Sequence, residues 1–275
     1  MSSVEGGEDL TRKQRREQAR SERKALEQAH AARAARRTRL TQLGIVLAIV
    51  AAIIVAVVIA TSGGSKKVVT AGSPQATATA TEVSSLLSGI PQSGNVLGSP
   101  KAPLTLKYYG DLECPFCKDF TISVLPTVIS KFVRTGKLRI EYHSLETATK
   151  EPEVFKNQQV AALAAGKQNR AWDFIELFYH EQGAEGSGYV TESYLQGLAS
   201  QVPGLSLASW TAARSDPALS NEITSDAQAA SQAGFNGTPS LQLGKTGGTL
   251  GEFKPESFTN PAPFVAAIEK LLKKA

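Results

Sequence analysis

The chain of 275 residues is poor in the side chains that hold metals, with only 2 cysteines and 3 histidines, His30, His143 and His180. Two cysteines cannot staple a small disulfide-rich domain. They also exclude a zinc or iron–sulfur site built from this chain's cysteines alone, which needs about four. Net positive charge is missing from most of the chain as well. Residues 44–275 carry 19 Lys/Arg against 19 Asp/Glu, so this part has no electrostatic reason to bind nucleic acid. The whole net charge of +5 sits in residues 1–43, which hold 11 Lys/Arg and 6 Asp/Glu. Apolar residues are not lacking. At 41% hydrophobic the chain can bury a core, and its length fits one or two domains.

Charge is absent again from Leu43 to Ala60, LGIVLAIVAAIIVAVVIA, a run of 18 residues without Asn, Gln or Pro. A bilayer core of ~30 Å needs about 17–25 helical residues, so residues 43–61 read as a single transmembrane helix. A buried soluble helix rarely lacks a polar face over five turns. A cleaved signal peptide would have an apolar stretch of about 7–15 residues behind a short basic segment. Here 42 residues come first and the run is longer, which favours an uncleaved anchor. Arg33, Arg36, Arg37 and Arg39 before the span outweigh Lys66 and Lys67 after it. Residues 1–42 are therefore expected to be a basic arm in the cytoplasm, with the rest of the chain outside. Residues 62–95, rich in Ser, Thr, Ala and Gly, read as a flexible tether. Leu86, Leu87 and Ile90 could begin to dock on the following domain. No internal repeat is visible.

The chemistry lies beyond the tether. Leu104 to Tyr109 predicts a strand that Gly110-Asp111 breaks. Cys114-Pro115-Phe116-Cys117 follows, and then apolar residues from Phe120 to Phe132 at spacings of three and four, one face of a helix. Leu138 to Tyr142 alternates as a second strand. The cysteines thus sit where a strand ends and a helix begins. A helix N-terminus offers unpaired N–H groups and partial positive charge, so a thiolate on Cys114 is stabilised there. Cys117, one turn on, can attack a mixed disulfide on Cys114 and release the partner. Pro115 suits the first helical positions. Glu113 acts against the thiolate unless it points into water. A metal would need two further ligands, and only His143 and His180 are at hand within this chain. The pair could otherwise be a structural bridge. Strand, C-x-x-C, amphipathic helix and strand in succession favour a redox-active dithiol over both.

Far downstream, Asn236-Gly237-Thr238-Pro239-Ser240 precedes a short strand, Leu241 to Leu243. Pro at a strand start cannot donate to a ladder. A cis Thr238–Pro239 bond would offer open backbone groups to an extended peptide, while a trans turn is the ordinary alternative. From Gly98 to the C-terminus the sequence resembles the DsbA-like thiol-disulfide oxidoreductases of the thioredoxin superfamily. The resemblance is carried by Gly98-Ser-Pro-Lys-Ala-Pro103, Tyr-Tyr-Gly-Asp at the strand end, Glu113-Cys-Pro-Phe-Cys117, Thr135-Gly136-Lys137 and Gly237-Thr-Pro239. It implies an α/β thioredoxin-like domain over residues 96–275, preceded by the single transmembrane helix. It also implies Cys114 as nucleophile, Cys117 as resolving thiol and a cis bond before Pro239 facing them. Phe116 stands where strongly oxidising members carry His, and Thr238 resembles the isomerase branch as much as the oxidase branch. The family inserts a helical subdomain, and the residues support one over about 150–234. Thr191, Ser206 and Asp216 read as helix N-caps, and Trp172, Ile175, Phe178 and Tyr179 recur at helical spacing. That stripe reads as core and His180 as a surface histidine. Residues 261–274 read as a final helix.

Two functions follow. The first is a single-pass enzyme of a bacterial cytoplasmic membrane that exchanges disulfides with secreted or cell-surface proteins as a disulfide donor. It needs no cofactor or metal, but it does need a membrane redox partner to restore the dithiol; a reductase or isomerase would use the same site. The second is a thioredoxin-like peptide-binding module without catalysis.

Overall fold

The computed structural model describes residues 73–274, and the arm, the apolar run 43–61 and the start of the tether lie outside them. Among the described residues no helix is long and apolar enough to cross a membrane. Two strands form the centre of a six-stranded sheet. β3 (Leu104–Gly110) pairs in parallel with β4 (Leu138–Ser144), Leu104 opposite Leu138 and Gly110 opposite Ser144. On its other side β3 runs antiparallel to β5 (Ser240–Lys245). The order is β1-β2-β4-β3-β5-β6, with the short strands Gln92–Ser93 (β1), Val96–Leu97 (β2) and Gly251–Glu252 (β6) at the edges. β4 alternates buried and part-exposed residues, the period of a strand with one packed face. β3 is buried almost throughout, as expected of a central strand.

Between the parallel strands runs the helical segment 115–133, called α2 here. It is α-helical over Pro115–Asp119 and Leu125–Val128 and widens into π turns over Phe120–Val124 and Ile129–Val133. Pro126 gives the first π turn a physical reason. Its ring cannot donate a hydrogen bond and crowds the preceding turn. The N–H of Leu125 reaches back five residues to the carbonyl of Phe120, which opens that turn.

The expected flexible tether is corrected over residues 74–95. Pro74–Leu87 is a helix, α1, packed on the helix Ala171–His180, and the ordered domain starts about twenty residues earlier than expected. Ser73 caps it by accepting from the Ala76 N–H at 3.2 Å, and Pro74 opens it. Ala76, Val83 and Leu87 are buried on one face. The Arg134 guanidinium closes its far end, donating to the carbonyls of Leu86 at 2.6 Å and Ser88 at 2.7 Å. Composition misleads here because alanine and threonine leave a narrow helix that packs closely without large side chains.

The helical insertion lies between β4 and β5. It comprises α3 (Pro152–Gly166), α4 (Ala171–His180), α5 (Glu192–Gln201), α6 (Leu207–Ala213) and α7 (Pro217–Gln232). Thr191, Ser206 and Asp216 cap α5, α6 and α7 by accepting from the N–H groups of Tyr194, Ser209 and Ala218. The aromatic stripe of α4 is core: Trp172, Ile175, Phe178 and Tyr179 are all buried. Trp172 donates from Nε1 to the Asn95 carbonyl at 2.9 Å and so ties the insertion to the β1–β2 hairpin. A last helix, α8 (Ala262–Leu272), lays Phe264 and Ile268 into the core beside Phe120.

Candidate active site

β3 ends at Gly110, where a Cβ would lie 2.8 Å from the Tyr142 ring and 3.1 Å from that of Tyr108. Only glycine lets the strand turn off between these rings towards the cysteines. Asp111 follows, fully buried. Its Oδ2 accepts from the backbone N–H groups of Thr147 at 3.0 Å, Ala148 at 2.8 Å and Thr149 at 2.9 Å. Its Oδ1 accepts from the Glu113 N–H at 3.0 Å, the Thr149 hydroxyl at 2.6 Å and the Gln158 amide at 3.3 Å. One carboxylate thus fastens the loop before α2 to the loop after β4. Gln182 fixes the same loop from the insertion, donating to the carbonyls of Leu112 at 2.7 Å and Cys114 at 3.1 Å.

Cys114 is the N-cap of α2 with Pro115 in the first turn, and both cysteines are free thiols. The two sulfurs are unequal. Cys114 is lowered to about 7, first because Cys117 hydrogen-bonds to its sulfur, against the opposing effect of burial. The Thr238 side chain and the N–H groups of Cys117 and Phe116 add to the lowering. Those two N–H groups are unpaired donors of the helix start, so the expected helix-terminus effect operates here. Cys117 is completely buried and is pushed well above the ordinary thiol range, chiefly by that burial and then by its neighbour Cys114. At pH 7 about half of Cys114 is therefore thiolate, and Cys117 is the thiol that donates to it.

The Thr238–Pro239 bond is cis. Its loop faces the dithiol: the Cys114 Sγ lies 3.3 Å from the Thr238 carbonyl oxygen. The Thr238 hydroxyl meets that of Thr147 at 2.5 Å, so the loop held by Asp111 also holds the proline loop. Phe116 is 61% exposed beside the thiol, an apolar ledge at the mouth of the site. Glu113 differs from the sequence expectation. It neither points into water nor figures among the main influences on the Cys114 thiol. It is buried and engaged by the Thr149 side chain and the Gly186 backbone, and burial raises its carboxyl. Among the described residues no group of three or more His, Cys, Asp or Glu could hold a metal.

A thioredoxin family model matches residues 92–248. The chain belongs to the thioredoxin family. The matched span contains both cysteines, the helical insertion and the cis-proline. Among curated relatives, the probable disulfide bond formation protein D of Bacillus anthracis is 23% identical over 154 residues, covering 54% of this chain and 68% of that protein. BdbD from Bacillus subtilis, solved in its oxidised form, shares the fold with a TM-score of 0.56 at 22% identity, over 68% of this chain and 98% of that one. Alpha-DsbA1 of Wolbachia pipientis does so with a TM-score of 0.55 at 19% identity, over 68% and 93%. Solved proteins named BdbD and DsbA thus share this fold.

Four parts of this thioredoxin-family site escape the sequence reading: Asp111, the Thr147–Thr149 loop, Gln182 and the Tyr108–Tyr179 pair. Tyr108 donates to the Tyr179 hydroxyl at 3.0 Å, and Tyr179 donates to the Asp111 carbonyl at 3.2 Å. Tyr108 and Asp111 stand in the Tyr-Tyr-Gly-Asp at the strand end and Tyr179 in the aromatic stripe, but nothing local in the sequence assigns any of them to the site.

Proposed function

We propose that the protein is a membrane-anchored disulfide donor outside the cytoplasmic membrane of a bacterium, with Cys114 and Cys117 as the reacting pair. A substrate thiolate attacks the Cys114 sulfur of the oxidised pair. A bond forms between the two sulfurs, the Cys114–Cys117 bond breaks, and its electrons leave on Cys117. A second substrate thiolate then attacks the substrate sulfur of this mixed disulfide and Cys114 departs as thiolate. The substrate has lost two electrons and the enzyme has gained them. A membrane partner that accepts two electrons must then restore the disulfide. In the proposed topology, residues 1–42 stay in the cytoplasm and 43–61 anchor the domain near that partner.

The observation that carries this reading is the asymmetry of the two thiols at one helix start. Cys114 is lowered to about 7 beside the cis-proline loop, and Cys117 is held protonated beneath it. A stabilised Cys114 thiolate is also a good leaving group, which favours giving the disulfide away. The relatives named for disulfide bond formation support the same direction. One observation favours a second reading. A nucleophile near 7 resembles that of reducing thioredoxins rather than strong oxidants, whose nucleophile lies nearer ~3.5. The reduction potential of the full chain, equilibrated in glutathione buffers, separates them. A value of about −120 to −180 mV supports the donor, and one near about −270 mV makes the protein a reductase. If no Cys114–Cys117 disulfide forms, the pair is not redox-active and a peptide-binding module takes its place. Loss of membrane association on deleting residues 43–61 tests the anchor.

A further inference from the structure

Beneath the dithiol lies a hydroxyl that the reaction as described does not use. Tyr108 stands on β3, completely buried, with its ring edge-on to Phe120 at 5.0 Å and Tyr142 at 5.3 Å. These rings fix where its hydroxyl points. The oxygen lies 3.5 Å from the Cys117 carbonyl, and the Cys117 side chain is among the groups that act on it. Its hydrogen has a nearer acceptor in the resting dithiol, the Tyr179 oxygen at 3.0 Å. Tyr179's own hydrogen is committed to the Asp111 carbonyl at 3.2 Å, so the Tyr179 oxygen is left to accept. Tyr142 is occupied elsewhere, donating to Gln159 at 3.2 Å.

The chemistry supplies a need for this hydroxyl. When a substrate thiolate attacks the Cys114 sulfur, the Cys114–Cys117 bond breaks and both its electrons stay on the Cys117 sulfur. Negative charge then appears on an atom with no access to water. A buried anion without donors is costly, and a donor already in place lowers the barrier to its formation. Besides the neighbouring Cys114, the Asp111 backbone N–H and the Tyr108 hydroxyl both act on the Cys117 thiol in favour of its charged form. A hydroxyl rotates to suit its partner.

We infer that Tyr108 is a catalytic residue of the disulfide exchange: its hydroxyl turns from Tyr179 to donate a hydrogen bond to the Cys117 thiolate as that sulfur leaves. The proton stays on the tyrosine oxygen throughout, so the step needs no base. In the reverse direction the same bond holds Cys117 as thiolate for its attack on the mixed disulfide. This inference rests on the proposed reading that Cys114 and Cys117 are the reacting pair.

The test uses Tyr108→Phe and Tyr179→Phe in the full chain. The oxidised protein is mixed with glutathione, and formation of the mixed disulfide on Cys114 is followed by mass spectrometry. A hydrogen bond to a charged group is worth about 1.5–3 kcal/mol, so Tyr108→Phe should slow this step about 10- to 100-fold. In a Cys114→Ala background, Tyr108→Phe should also move upwards the pH midpoint of Cys117 ionisation, followed by loss of its S–H stretch in the infrared. Tyr179→Phe removes the competing acceptor and should move that midpoint downwards, which keeps the inference testable if Tyr108→Phe does not fold. A merely structural tyrosine would leave both midpoints in place. A rate within twofold of the wild type in Tyr108→Phe, or unmoved midpoints, overturns the inference while the dithiol reading stands. A wild-type chain that forms no Cys114–Cys117 disulfide overturns both.

Discussion

Replacing Asp111 by asparagine should destabilise the domain by about 2–4 kcal/mol, and the figure follows from counting acceptors. The carboxylate receives six hydrogen bonds, three on each oxygen. Asparagine keeps one acceptor oxygen and turns the other position into a donor. Its best orientation keeps the oxygen on the N–H groups of residues 147–149. The new NH₂ then faces the Thr149 hydroxyl, which can rotate to accept. It also faces the Gln158 amide, whose Oε1 has no partner and which can therefore flip. The Glu113 N–H can do neither. It becomes a buried donor facing a donor, which costs about 1–3 kcal/mol, and the surviving bonds lose their charge-assisted share. Urea unfolding of the reduced protein is the assay. With a slope of about 1–3 kcal/mol per molar, the midpoint should fall by roughly 1–2 M at unchanged slope. Asp111→Ala strands all the donors at once and should cost more. A midpoint shift in Asp111→Asn below about 0.3 M at unchanged slope would refute the view that this carboxylate holds the two loops together.

Three further outcomes are expected. Iodoacetamide should alkylate Cys114 with a pH midpoint of about 7, so that half of it is thiolate at pH 7 rather than the ~3% of an ordinary thiol; a midpoint near ~8.5 would remove the helix-start argument. Burial pulls His143 down, but its hydrogen bond to Asp226 and its ion pair with Glu141 outweigh this and raise it above 6.5; its contribution is complete below about pH 6.5 and lost as pH rises through the raised folded value, so His143→Gln should flatten that part of the stability profile. Burial pushes Glu176 up to about 8, and neither carboxyl oxygen has a hydrogen-bond partner among the described residues; its contribution should fall as pH rises from about 4.5 to 8, and Glu176→Met should remove that part of the fall and gain a few kcal/mol at pH 8, an outcome that equal pH slopes in the two proteins would contradict.

What could be read in the sequence and what could not divide along a physical line. The strand end, the C-x-x-C and the helix start lie within a dozen residues, and their geometry follows from local rules. Cys114 is lowered largely by groups at positions 116 and 117, so its character was legible. The caps at Thr191, Ser206 and Asp216 are equally local, each side chain reaching two or three residues ahead. Glu113 went wrong because its effect depends on which way the side chain turns, and that is set by Thr149 and Gly186 far along the chain. The first helix was missed for a different reason: its packing rests on alanines and on Arg134, which caps it from 46 and 48 residues away. Cys117 shows the same limit within the site. Its spacing from Cys114 could be read, but its chemistry depends on burial and on what lies beneath it. The Tyr108 hydroxyl comes from the preceding strand, and its partner Tyr179 lies 71 residues away in the insertion. The Cys114 sulfur is thus specified largely by its own neighbourhood, whereas the Cys117 sulfur is specified by the assembled fold. Tyr179→Phe, which touches the Tyr108 hydroxyl and not Cys114, should therefore alter the release of Cys117 and leave the pH midpoint of Cys114 alkylation near 7.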